Sequence, residues 1–165
     1  MPESLTRLSA LSSVIVRWFA SLGLLLITAI IAWQVFARYV LNASPSWAEQ
    51  AALLLLIWYV MFAAAAGVRE GFHIRISVFV DGLPHPYRHW ATIAMHALVG
   101  IFGVVMTWSG VELAVTTWTH VIPALGISRA FAYVPMSLAG ILIAAYSIEH
   151  IVSGVTGKAV DHRWN

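Results

Sequence analysis

The stretch AEQAALLLLIWYVMFAAAAGV, residues 48–68, decides the fold. Its strongly polar side chains, Glu49 and Gln50, both stand at its start, and everything after them is compatible with hydrocarbon. A helix needs about 20 apolar residues to cross a bilayer. A barrel strand would be about ten residues long with alternating polarity, so the run reads as a transmembrane helix. Three further runs have the same character. One spans residues 18–37 between Arg17 and Arg38, one about 90–110, and one about 130–152. Mean hydropathy is +0.84 and only 10% of residues are charged, where a water-soluble domain carries about a quarter. The fold class expected is all-α integral membrane, with four transmembrane helices in a single membrane domain, residues 1–165. Short connectors predict antiparallel neighbours in one compact unit.

The remaining composition narrows the chemistry. The chain has no cysteine, which excludes disulfides, thiolate metal sites and cysteine nucleophiles. A net charge of +2 on scattered basic residues gives no nucleic-acid surface. The first run is too long for a signal-peptide core and no small-x-small cleavage site follows it, so it reads as an uncleaved anchor. Before it, Leu5, Leu8, Leu11 and Ile15 recur at helical spacing, the pattern of a short helix on the membrane surface.

Orientation follows from the basic residues. With the N-terminus inside, Arg7, Arg17, Arg69, Arg75, Arg88, Lys158 and Arg163 face the cytoplasm, and Arg38 and Arg129 face outward. The positive-inside rule therefore predicts both termini in the cytoplasm. The connector between the second and third spans then lies on the inner face. There Ile76, Phe79, Val80 and Leu83 fall at i, i+3, i+4 and i+7, one apolar helical stripe. The alternation Ile74, Ile76, Val78, Val80 also fits a strand, but a lone strand would leave its edges unpaired. A short amphipathic interfacial helix between helices 2 and 3 is expected, with Arg69, Arg75 and Arg88 meeting anionic headgroups or a partner's acidic groups.

Catalysis finds little support. Ser77, His73 and Asp81 are close in sequence but match no nucleophile motif and no oxyanion-hole signature. His85 and His89 stand four apart without the HExxH arrangement of a zinc protease. No enzyme, metal or cofactor is expected. One alternative involves a b-type haem in a membrane anchor of a redox complex. His96 lies about 9 Å inside the inner end of the third span and His150 near that of the fourth, within about 6 Å in depth. Two histidines on different helices at similar depth permit bis-His ligation.

Transport by this chain alone is not indicated, because the middle of every span is apolar and offers no ion or substrate site. Pro135 predicts a kink in the outer part of the fourth span. Arg38 and Glu49 share the outer boundary and are candidates for an ion pair, and Glu112 is a candidate partner for Arg38 or Arg129. The patch Ala63–Gly67, the pair Gly100 and Gly103, and Gly140 with Ala144 offer smooth packing surfaces. Small-residue spacing alone does not say whether they pack internally or against a partner.

The segment from Phe36 to Pro84 resembles the small membrane subunit of tripartite ATP-independent periplasmic (TRAP) transporters. The resemblance rests on Arg38, Tyr39, Ser44, Pro45, Trp47, Glu49, Arg69, Gly71, His73, Ile74, Leu83 and Pro84. Gln50 stands where that family often has a second acidic residue. The resemblance implies four tilted helices associated with a large multi-span subunit, which carries substrate and sodium ions. A periplasmic binding protein delivers the substrate, an organic acid. Arg38, Trp47, Glu49, Arg69, His73 and Arg75 are then partner-facing or structural residues. The location implied is the bacterial inner membrane.

Overall fold

The computed structural model describes residues 3–69 and 85–156. Four long helices account for most of them: α1 (Glu3–Tyr39), α2 (Ser46–Arg69), α3 (His85–Thr116) and α4 (Val134–Thr156). Four segments are long and apolar enough to cross a membrane, Ser21–Tyr39, Ser46–Arg69, His89–Thr116 and Arg129–Val155, the last beginning just before α4. The chain is an all-α integral membrane protein with one small addition. Two-residue strands β1 (Val121–Ile122) and β2 (Ile127–Ser128) form an antiparallel hairpin between α3 and α4. The amphipathic segment expected at 76–83 lies outside the described residues.

Local chemistry sets the ends of these elements. Asn42 takes a left-handed conformation (φ 49°), and the Ala43 amide reaches back to the Ala37 carbonyl at 3.0 Å. That bond folds the chain back over the end of α1, and Asn is one of the few residues other than Gly that tolerates the left-handed region. In the hairpin, Pro123 presets the turn and Gly126 takes φ +67°, while the Leu125 and Gly126 amides both bond the Ile122 carbonyl. A 3-10 turn follows at Arg129–Ala132, capped by Ser128, whose hydroxyl accepts from the Ala130 amide.

Four boundary expectations change. No break separates an N-terminal surface helix from the first span, since α1 is continuous from Glu3. Helix α3 runs past Gly110 to Thr116, because Gly110 is not a stop: it is the point where Ser137 of α4 comes closest. The fourth span opens with the 3-10 turn and becomes α-helical only at Val134. Pro135 consequently sits in the first helical turn, where its missing N–H costs no bond, and starts the helix instead of kinking it.

The helices do not close into a compact bundle. Among the described residues, helix α1 packs on α2, α2 on α4, and α4 on α3, while α1 has no comparable contact with α3 or α4. The result is an open row, α1–α2–α4–α3, in which α4 separates its sequence predecessors α2 and α3. Small residues explain the order. On one side of α4, Ala65 and Val68 of α2 join Ala139, Ile143 and Tyr146 in the core cluster, with Met106 of α3. On the other side, a Cβ added to Gly103 would lie 2.8 Å from the Ala144 amide nitrogen and the Gly140 carbonyl oxygen. The backbones are already touching there. In a lipid environment such close packing, not water exclusion, holds helices together. The sequence patches Ala63–Gly67, Gly100/Gly103 and Gly140/Ala144 therefore serve internal packing.

Candidate functional site

The notable polar chemistry gathers at one end of the row, where α2, α3 and α4 meet. Arg69 ends α2 and is buried; His96 of α3 and Glu149 of α4 are buried too, and His150 is half-buried. The His96 and His150 rings stack face to face, with centroids 4.5 Å apart and planes 9° from parallel. His150 Nε2 lies 3.1 Å from the Arg69 carbonyl oxygen. A carbonyl only accepts, so Nε2 of His150 carries the proton and donates it. That carbonyl belongs to the last turn of α2. His150 thus caps α2 from α4, while His96 braces the same ring from α3.

The two histidines are not at the helix tips. His96 is seven residues from His89, about 10 Å along α3, and His150 is six from Thr156, about 9 Å along α4. Ionisable side chains two turns inside apolar spans are costly, and here both histidines face the protein interior, as do Glu149 and the helix-ending Arg69. Among the described residues, no group of three or more His, Asp or Glu side chains is arranged to hold a metal ion.

The structure does bring His96 and His150 together, as depth counting anticipates, but not as haem ligands. Axial ligation needs the two Nε2 lone pairs to point at one iron from opposite sides of a porphyrin. Parallel stacked rings aim their in-plane lone pairs alongside each other, and Nε2 of His150 is already a donor to Arg69. The residues present do not fit a haem.

At the opposite end the expected Arg38–Glu49 ion pair is not formed. Both Nε and Nη2 of Arg38 donate to the Ser44 hydroxyl at 3.4 Å, across the α1–α2 turn. Glu49 is exposed in the first turn of α2, where the positive end of the helix dipole favours a carboxylate. Trp47 beside it is exposed. Glu112 and Arg129 are exposed as well, with no ion pair between them. His73 and Arg75 lie outside the described residues. Sequence reasoning missed Trp58, whose indole N–H donates to the Phe131 carbonyl at 2.9 Å and ties α2 to the 3-10 turn. A tryptophan in mid-span rather than at a span end was the available signal. Glu149 was passed over as well, although a carboxylate among apolar positions of a span marks an inward-facing group.

Residues 27–157 match the family of tripartite ATP-independent periplasmic transporters, DctQ component. The chain belongs to the DctQ family. Its match takes in all of the described polar cluster and the Arg38–Ser44 turn. A sialic acid TRAP transporter small permease protein, SiaQ of Vibrio cholerae, is 25% identical over 125 residues, covering 74% of this chain and 71% of its own. A C4-dicarboxylate TRAP transporter small permease protein, DctQ of Rhodobacter capsulatus, is 39% identical over a 44-residue segment, 27% of this chain and 19% of that one. A Haemophilus influenzae chain provisionally named a TRAP transporter small permease protein is 20% identical over 117 residues, 71% of each. The protein is a small subunit of a TRAP transporter and a multi-pass membrane protein.

Proposed function

We propose that this DctQ-family chain is a structural subunit, which widens the static part of the transporter while a large multi-span subunit carries the solute. The observation behind this reading is how its polar groups are used. His150 caps the end of α2, His96 stacks on His150, and Arg38 is turned onto Ser44. The cluster ties three helices in a fixed register, which suits a part that must stay still in the bilayer. Substrate and sodium ions bind on the large subunit, and a periplasmic binding protein brings the substrate. Two relatives are named for sialic acid and C4-dicarboxylates, which supports an organic acid as the solute. The chain itself catalyses no reaction.

In this reading the whole chain works as one membrane unit in the bacterial inner membrane, with both termini cytoplasmic. The polar cluster then lies on the cytoplasmic side and the hairpin on the periplasmic side. Arg69, His73 and Arg75 belong to the inner face, and Arg38, Trp47 and Glu49 to the outer, where they support the partner contact. The test is reconstitution with the large subunit and binding protein. Co-purification of both membrane subunits, and uptake lost when this chain is omitted, is the expected result. Unchanged uptake without it would overturn the proposal.

A further inference from the structure

We propose that the connector between α3 and α4, residues 117–133, lies on and partly within the headgroup layer of the lipid bilayer, as an interfacial anchor. This does not depend on the transporter reading.

The first observation is composition. The connector TWTHVIPALGISRAFAY contains one formally charged residue, Arg129, where a water-facing segment averages about a quarter. Trp118, Val121, Ile127 and Phe131 are nevertheless exposed. They continue the exposed apolar side of α3, at Val111 and Val115, past the end of the helix. Such a surface is covered by something other than bulk water.

The second observation is height. Trp58 lies 12 residues inward of Ser46, about 18 Å along α2. Its indole N–H bonds the Phe131 carbonyl, and a tryptophan side chain spans only part of that distance. The 3-10 turn therefore sits below the level of the α1–α2 turn, beside apolar residues of α2.

The third observation is how the backbone is satisfied. Non-helical backbone near lipid persists only where its polar groups find partners inside the protein. Here the Phe131 carbonyl accepts from Trp58, and the Ala130 amide donates to the Ser128 hydroxyl. That hydroxyl donates to the Trp118 carbonyl at 2.7 Å, and the Arg129 amide to the His120 carbonyl at 2.7 Å. The hairpin closes on the Ile122 carbonyl. Ile122 turns into the protein, and Val121 on the other face of the strand does not. A segment whose hydrogen bonds are met internally, with an aromatic and aliphatic exterior, has the character of an interfacial element.

The natural absence of cysteine makes the test direct. Single variants Val121→Cys and Ile127→Cys are spin-labelled in the full chain, reconstituted in phosphatidylcholine–phosphatidylglycerol vesicles. Accessibility to oxygen, which concentrates in lipid, is compared with accessibility to a water-soluble nickel chelate. Ala43→Cys at the exposed α1–α2 turn gives the water reference, and Val105→Cys on the exposed side of α3 gives the lipid reference. The expected oxygen-to-nickel ratio at 121 and 127 is several-fold above that at 43 and below that at 105. A ratio equal to that at 43 would overturn the proposal by placing the hairpin in water. Protection from both reagents would overturn it too, because protein would then cover the hairpin.

Discussion

Gly140 gives the sharpest test of the helix row. A Cβ built there would lie 2.6 Å from the Gly103 carbonyl oxygen, 2.6 Å from Thr107 Oγ1 and 2.7 Å from the Thr107 amide nitrogen. Ordinary contact begins at 3.4 Å, so Gly140→Ala must push α3 and α4 apart by about 0.8 Å locally. Two of the three obstructing atoms are backbone and cannot swing away. Overpacking of this kind costs about 1–3 kcal/mol. Removing a helical glycine offsets up to about 1 kcal/mol of that. The net expectation is a loss of about 2 kcal/mol, taking the upper part of the overpacking range because backbone does not yield. Gly154→Ala and Gly23→Ala are the controls: their nearest neighbours, Ile93 Cγ1 and Tyr59 Cβ, stand at 3.5 and 3.6 Å. Both should be neutral or slightly stabilising. The assay is equilibrium unfolding in mixed micelles, comparing the three alanine variants under one condition. If Gly140→Ala unfolds at the same point as Gly154→Ala, α3 and α4 are not in backbone contact and the row as described is wrong.

Three further outcomes are expected. His150→Ala removes the cap on the Arg69 carbonyl and the stack on His96, and should cost about 1–3 kcal/mol in the same unfolding assay; His150→Gln restores a donor without the ring and should fall between. Trp58→Phe keeps the apolar ring but leaves the Phe131 carbonyl unmet, for a loss of about 1 kcal/mol, whereas Trp33→Phe, at an exposed ring packed on Phe36, should be near neutral. Arg38→Ala and Glu49→Ala should be additive within about 0.5 kcal/mol, because Arg38 bonds Ser44 and not Glu49. A larger coupling in that double-mutant cycle would mean that an ion pair forms after all.

Much of the architecture was legible in the residues. Helices crossing a bilayer must be long and apolar, because hydrocarbon satisfies no backbone group, and that constraint acts on each segment by itself. The four spans followed from it, with errors only at ends governed by one neighbour, such as Gly110 against Ser137 or Pro135 at the first turn of α4. Depth along a helix is also a one-dimensional quantity, so His96 and His150 could be placed at similar heights by counting. The conserved rise of the helix did that work, and it needed no knowledge of the partner helix.

Lateral arrangement is different in kind. Whether α2 borders α3 or α4 depends on which small-residue faces meet, and Ala63–Gly67 or Gly140/Ala144 would serve either neighbour equally well. Only the folded chain shows α4 between α2 and α3, and only that placement brings Arg69, Glu149, His150 and His96 to one buried corner. Ring orientation was likewise beyond counting: equal depth is compatible with two imidazoles facing an iron or facing each other. The sequence by itself determined a membrane protein of four helical spans. Tertiary packing decided that they form an open row with its histidines stacked, because contact between side chains on separate helices depends on azimuth and distance, which hydropathy does not encode.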